Sequence, residues 1–152
     1  MKKLIIKIYL IFSMVFLGAC GFEPLNSSLN INKITISEKN FSGNEKINRK
    51  IFNKLNLKVS DDISAHKLKL GSESIITTLV KDTSGNATTY KTTLLINVAL
   101  IRNEKIIKNK RFEKSITYSN LSNKFELSKY QTEVENNLIN SATQEIKMFL
   151  GS

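Results

Sequence analysis

The sequence holds one cysteine, one histidine, one proline and no tryptophan among its 152 residues. A structural zinc site of four cysteines, or of two cysteines and two histidines, is therefore excluded, and so is an intrachain disulfide. Hydrophobic residues make up 41% and charged residues 24%, which excludes a collagen or a disordered tail. The length fits one domain, and the composition points away from an enzyme.

Motifs of common catalytic and nucleotide-binding sites are also missing. The chain has no Gly-x-Ser-x-Gly nucleophile turn, no phosphate-binding loop and no Gly-x-Gly-x-x-Gly. His66 has no second histidine or cysteine nearby, and we expect it at the surface or at a sheet edge. Asp61 and Asp62 are expected to form a turn rather than an acid–base pair. The sequence therefore predicts no catalytic residue, no metal site and no cofactor.

The first twenty residues have the order of a secretory signal. Three lysines precede a nearly unbroken apolar run over 8–17, and the small residues Gly18, Ala19 and Cys20 end it. The run is too short for a membrane span, which needs about 20 apolar residues. The only cysteine thus lies where the lipobox of bacterial lipoproteins, which this segment resembles, places its acylated residue.

These features predict a lipoprotein signal peptide over 1–19 and a lipidated tether over 20–30 that contains Pro24. Cys20 is the predicted lipid attachment site, because a thioether requires a thiol. An ordinary signal peptide followed by a free cysteine is the alternative. Gly21, in place of an aspartate, favours sorting to the outer membrane by resemblance to other lipoproteins. We therefore expect a lipid-anchored protein that faces the periplasm.

Positive charge exceeds negative charge, with 23 Lys and Arg against 13 Asp and Glu. Removing 1–19 takes away three lysines and lowers the formal charge from +10 to +7. A basic chain raises the question of nucleic acid binding. The predicted export and the small share of arginine, which suits bidentate phosphate recognition, argue against it. Anionic lipid headgroups or glycolipid phosphates are the expected partners.

The hydrophobic pattern predicts a strand over 31–37 and a helix over 43–55 that begins with the capping box Ser42-x-x-Glu45. A second capping box, Ser128-x-x-Gln131, predicts a closing helix of about 20 residues that ends at Gly151. Helical spacing of apolar residues follows each box.

Three long strands are predicted between the helices. Leu68 and Leu70 alternate with lysines, and Gly71 suggests a bulge in that strand. Turn residues over 82–86 and at Asn103-Glu104 separate the strands. One face of the middle strand is predicted to carry Tyr90, Thr92, Leu94, Ile96, Val98 and Leu100. The same alternation in the next strand places Ile106, Phe112, Ile116 and Tyr118 on one side.

The order β-α-β-β-β-α predicts an α+β fold in which two helices lie on one face of a four-stranded, mainly antiparallel sheet. This two-layer sandwich forms a single domain over 31–152. Helices and sheet can bury enough apolar surface for the domain to fold alone.

Three segments carry a family resemblance. The start from Leu17 to Leu25, LGACGFEPL, resembles the lipopolysaccharide-assembly lipoprotein family, LptE, whose mature members often begin Cys-Gly-Phe-x-Pro-Leu. The turn Gly85-Asn86-Ala87-Thr88-Thr89-Tyr90 is similar to the family's Gly-x-Ala-x-x-Tyr, and Tyr118-Ser119-Asn120 precedes a long last helix as it does there. The order and length of the elements agree across essentially the whole chain.

The resemblance implies an outer-membrane lipoprotein that sits inside the β-barrel LptD. Such a protein plugs the barrel, helps it to assemble and assists the transport of lipopolysaccharide to the outer leaflet. Some members bind lipopolysaccharide directly. Some also carry an arginine near the hairpin turn, where this chain has lysines.

Four lysines are candidate lipopolysaccharide contacts: Lys81 and Lys91 flank the hairpin turn, and Lys124 and Lys129 flank the start of the last helix. If the two-layer fold is right, loops at one end of the sheet bring some of them together. Their ammonium groups would pair with phosphates as point charges.

Two other readings of the function stay open. One is a lipoprotein that binds anionic lipid or cell-wall ligands without a barrel partner, and the other is a surface-anchored hydrolase. Tyr90 and Tyr118 are expected to pack in the sheet rather than to stack on glycans. Six basic residues of the strands form either a solvated sheet face or a ligand surface: Lys67, Lys69, Lys108, Lys110, Arg111 and Lys114.

Overall fold

The computed structural model describes residues 34–62 and 64–152. The predicted signal peptide, Cys20, the tether over 20–30 and the first residues of the predicted first strand lie outside the described residues. The elements are β1 (Thr35–Gly43), α1 (Glu45–Leu55), β2 (Lys58–Val59), β3 (His66–Lys81), β4 (Ala87–Arg102), β5 (Lys105–Ser119) and α2 (Lys124–Gly151).

The strands form one mixed sheet in the order β2-β1-β3-β4-β5. β1 runs parallel to both of its neighbours, and α1 belongs to the crossover from β1 to β3. β3, β4 and β5 form the predicted antiparallel meander. The prediction of four strands is wrong by one, because a strand of two residues such as β2 is too short to show alternation. The α+β class is confirmed.

Both helices pack on one face of the sheet and against each other. This inner face carries even-numbered side chains, such as Leu70 of β3, Val98 of β4 and Phe112 of β5. Val98 is the ladder partner of both Leu70 and Lys110, so the even-numbered side chains of all three strands lie on the same face at the centre of the meander. Ile106, predicted on this face, is 62% exposed, because the β4–β5 register shifts between Leu100 and Ile101.

The helix α1 begins two residues later than predicted. Its N-cap is Asn44, whose side chain accepts the amide N–H of Ile47 at 3.2 Å, and not Ser42. Ser42 stays in β1, where it pairs with Gly71. The buried residues Ile47, Ile51 and Leu55 follow the predicted helical spacing.

The helix α2 has 28 residues and is longer than the predicted closing helix. It begins after Asn123, whose side chain accepts the amide N–H groups of Phe125 and Glu126. The prediction that this helix begins at a capping box on Ser128 is therefore wrong. Asparagine is as good an N-cap as serine, and the Asn123 cap leaves Leu127 inside the first turns, where it is buried.

β3 has no bulge at Gly71, contrary to the prediction. Gly71 pairs in register with Asn97, and the register shifts instead between Thr78 and Val80. A Cβ at Gly71 would lie 2.6 Å from the Oγ of Ser42, so a close approach of two strands explains the glycine. In the part of the chain that the structure describes, no helix has the length and apolarity that crossing a membrane requires.

Candidate functional site

The β3–β4 turn and the connection from β5 to α2 meet at one end of the sheet. The backbone N–H of Asn120 donates to the carbonyl of Thr88 at 2.8 Å, and its side-chain Nδ2 donates to the carbonyl of Ala87 at 2.7 Å. Asn120 thereby ties the start of β4 to the segment that leads into α2. We call this region the hairpin end; it comprises 81–90 and 118–124.

The turn at the hairpin end is held by Asp82. Its Oδ1 accepts the amide N–H groups of Ser84 and Asn86 at 2.9 and 2.8 Å, and its Oδ2 accepts the side-chain amide of Asn86 at 3.2 Å. These hydrogen bonds hold the pKa of Asp82 below its usual range, and the bonds from Asn86 have the largest effect. Gly85 takes a positive φ of 83°, as the tight turn requires.

Two tyrosines of the hairpin end, Tyr90 and Tyr118, pack together with Tyr130 of α2. The ring centroids of Tyr90 and Tyr118 are 5.9 Å apart, and those of Tyr118 and Tyr130 are 5.5 Å apart. The hydroxyl groups of Tyr118 and Thr92 are 3.0 Å apart in a buried hydrogen bond. The predicted packing role of Tyr90 and Tyr118 is confirmed.

The four candidate lysines do not gather in one place. Lys81 pairs with Ala87 in the ladder, and Lys124 is the first residue of α2, so both belong to the hairpin end. Lys91 lies between Thr77 and Thr117, on the sheet face away from the helices. Lys129 is an exposed residue of α2, on the other side of the sheet. Any role in ligand binding stays a prediction.

Lysines of β5 make contacts within the fold. The Nζ of Lys108 donates to the carbonyls of Phe149, Leu150 and Ser152 at 3.0, 3.0 and 2.8 Å, which places its charge at the C-terminus of α2. Lys114 pairs with Glu145 of the same helix. Lys110 lies 5.1 Å from the ring centroid of Phe112. These three side chains already have partners within the fold, which disfavours a ligand surface at these positions.

Other residues singled out in the sequence have structural partners as well. The Nδ1 of half-buried His66 lies 3.2 Å from the carbonyl of Thr35, at the start of β3. Asp62 accepts the amide N–H and the hydroxyl of Ser64, which confirms its predicted turn role, and these bonds lower its pKa. Lys67 pairs with Glu38 and Glu104. Within 34–62 and 64–152, no group of three or more His, Cys, Asp or Glu residues could hold a metal ion.

The second face of the sheet, which we call the open face, is not covered by either helix. It carries the odd-numbered side chains of the meander, and these are mostly small or polar, with charges at Lys67, Lys69, Glu73, Lys81, Lys91, Arg111 and Glu113. A shallow cavity of about 550 Å³ lies on it next to the corner between β1 and α1. The cavity is lined by Ser42, Gly43, Asn44, Gly71, Ser72, Glu73, Ser74, Leu95, Asn97 and Arg111.

Sequence reasoning gave Lys69 and Arg111 as part of a solvated sheet face or a ligand surface, but it did not reveal the cavity beside the corner between β1 and α1. Asn97 and Arg111 are direct partners in the ladder, and Gly71 completes their row. Among the described residues, Arg111 forms no ion pair. The open face therefore offers free polar groups, whereas the lysines of the inner face are already occupied.

No protein-family model matches the chain, and no curated protein sequence matches it either. Solved structures are similar in fold. Rare lipoprotein B from Shewanella oneidensis has a TM-score of 0.60 at 18% identity, over 74% of this chain and 89% of that one. A minor lipoprotein from Acinetobacter baumannii has a TM-score of 0.62 at 12% identity, over 77% and 90%.

An uncharacterized lipoprotein B from Nitrosomonas europaea, solved in solution, has a TM-score of 0.65 at 9% identity, over 85% of this chain and 90% of that one. All three proteins are bacterial lipoproteins, and the match spans nearly their whole length. At such low identity the similarity establishes a shared fold.

Proposed function

We propose that the protein is a lipid-anchored outer-membrane lipoprotein of the LptE type, which occupies the lumen of an LptD-like β-barrel and assists lipopolysaccharide transport. One observation carries the proposal. Two LptE-like sequence segments, Gly85–Tyr90 and Tyr118–Asn120, are far apart in the sequence and form one hydrogen-bonded unit at the hairpin end. The antiparallel pairing of β4 and β5 makes Tyr90 and Tyr118 direct ladder partners, so both segments contribute to one surface.

The surface chemistry supports occupation of a barrel rather than catalysis. The lumen of a large outer-membrane barrel is polar, and a plug must offer it polar side chains. The open face provides such a surface over β4, β5 and the first half of β3, with serine, threonine and asparagine between its charges. The fold shared with three bacterial lipoproteins agrees with the lipobox-like segment that ends at Cys20.

Depletion of the protein in the cells that produce it tests the proposed role in assembly. We expect the amount of correctly folded LptD-like barrel in the outer membrane to fall, together with surface lipopolysaccharide, because a plug acts stoichiometrically. An unrelated outer-membrane barrel in the same cells is the control and should keep its level. Normal folded barrel and normal surface lipopolysaccharide after full depletion would refute the proposal and leave the lipoprotein without a barrel partner as the better reading.

The proposed lipopolysaccharide contacts are Lys81 and Lys124, because each lies at an end of one of the two segments that Asn120 joins at the hairpin end. Changing both to glutamine should weaken lipopolysaccharide binding several-fold at low salt, and the difference should shrink as salt rises. Titration calorimetry on the full chain measures both effects.

The matched control changes Lys54 and Lys58 to glutamine, which removes the same charge at exposed positions near the other end of β3. Lys91→Gln and Lys129→Gln, tested together, show whether the other two candidates contribute. If the Lys81 and Lys124 variant binds as tightly as the control variant, these lysines do not contact the ligand.

A further inference from the structure

Within 34–62 and 64–152, the second half of β3 has one edge without a neighbouring strand, which we call the free edge. β1 ends at Gly43, beside Ser72, so β3 beyond Ser72 pairs with β4 on one side and with no described strand on the other. The carbonyl of Ser72 accepts the amide N–H of Asn44 on the β1 side at 2.8 Å. Peptide groups alternate in direction along a strand, so those of Ser74, Ile76 and Thr78 point to the free edge.

This edge lacks the protection that natural sheets give to their outer strands. The run Ser74–Val80 has no charge, no proline and no glycine, a composition that pairs readily with another strand. Four of its side chains are exposed to 37–52%: Ile75, Ile76, Leu79 and Val80. The outer strand β5, in contrast, carries lysines along its length, which block such pairing.

We propose that this edge pairs with the same edge of a second copy of the chain, antiparallel and centred on Thr77. The charges select this arrangement. Glu73 and Lys81 bound the uncharged run, and each lies four residues from Thr77. Centring on Thr77 therefore places Glu73 of each copy opposite Lys81 of the other, at both ends of the interface.

The same register suits the backbone and the side chains. Ile76 of one copy faces Thr78 of the other, and both present their peptide groups to the edge, so they can exchange hydrogen bonds. Ile75 and Leu79 bring apolar side chains to both sides of the central Thr77 pair. The register shift between Thr78 and Val80 confines the regular ladder to this centre.

A two-fold axis through the Thr77 pair would join the two sheets into one, with the helices of both copies on the same side. The hairpin turn of each copy would then arrive beside Glu73 of the other, where the open-face cavity lies. One short strand pair is smaller than the roughly 800 Å² per partner of a stable interface. The dimer is therefore weak and depends on concentration.

Disulfide cross-linking between engineered cysteines tests this register directly. The full chain is purified in mild detergent with Cys20→Ser, so that a new cysteine is its only thiol. In the proposed dimer, the two Thr77 residues form a pair without hydrogen bonds, at a Cα separation of about 4.5 Å that a disulfide can bridge. Thr77→Cys should therefore give a covalent dimer under mild oxidation.

Ser115→Cys is the matched control, because Ser115 is an exposed small residue on β5. It should give several-fold less dimer than Thr77→Cys, with both variants folded by circular dichroism. Equal cross-linking of the two variants would overturn the proposal, since detergent micelles alone would then explain the contact.

Charge swaps provide an independent readout in the Thr77→Cys chain without lipopolysaccharide. Glu73→Lys or Lys81→Glu alone should lower the cross-linked fraction several-fold, and the two changes together should restore it. A double variant that cross-links as poorly as the single variants would contradict the pairing. The inference does not rest on the proposed function, because the test uses neither barrel nor lipopolysaccharide.

Discussion

Gly43→Ala is expected to destabilise the domain by about 2–5 kcal/mol or more. Gly43 takes a positive φ of 73°, which costs an L-residue about 1–2 kcal/mol. A Cβ at this position would also lie 2.2 Å from the carbonyl oxygen of Ser72, in the backbone of the neighbouring strand. This clash cannot be relieved by a side-chain rotation, and overpacking of this kind adds about 1–3 kcal/mol or more.

Gly85→Ala is the matched control for this prediction. Gly85 has a similar φ of 83°, but a Cβ there would meet no atom within 4 Å. The control should cost only the backbone strain, about 1–2 kcal/mol. Urea unfolding of the full chain in detergent, followed by circular dichroism, measures both free energies. Equal losses of stability in the two variants would contradict the close approach of Gly43 to the carbonyl of Ser72.

Cys20→Ser should abolish lipid attachment completely. A serine hydroxyl does not form the thioether, so neither acylation nor lipoprotein-type cleavage should occur. Each buried methylene contributes about 0.8 kcal/mol to membrane binding, so the loss of two or more acyl chains should release the protein from the membrane. Labelling of cells with a radioactive fatty acid and sodium dodecyl sulfate gels detects the attached lipid.

Gly21→Asp separates acylation from sorting. This variant keeps the thiol and should keep the label, and by resemblance to other lipoproteins it should accumulate in the inner membrane. Label that persists on the Cys20→Ser chain would contradict the assignment of Cys20. In that case the ordinary signal peptide would be the correct interpretation of 1–19.

Much of the fold was predictable because apolar periodicity reports burial. The alternation from Tyr90 to Leu100 and the helical spacing in α1 both identified the face that packs in the core. The errors arose where local signals compete. Ser42 and Ser128 each satisfy the sequence rule for a capping box, but Asn44 and Asn123 lie at the actual helix starts.

The site was less predictable, because contacts between distant segments have no local signature. The lysines of β5 looked like a solvated or ligand-binding stripe, and nothing in their spacing indicated that Lys108 reaches the last carbonyls of α2. The free edge of β3 depends on where β1 ends beside it. Sequence patterns predict strands, whereas strand neighbours follow from the tertiary arrangement.

The most direct test of the central claim is isolation of the tagged full chain from native membranes in mild detergent. If the protein occupies a barrel, a large outer-membrane β-barrel of the LptD type should co-purify with it in a one-to-one ratio. Gly43→Ala, which should disrupt the fold, is the control and should recover little barrel. Isolation of the intact, folded chain without any barrel would contradict the account.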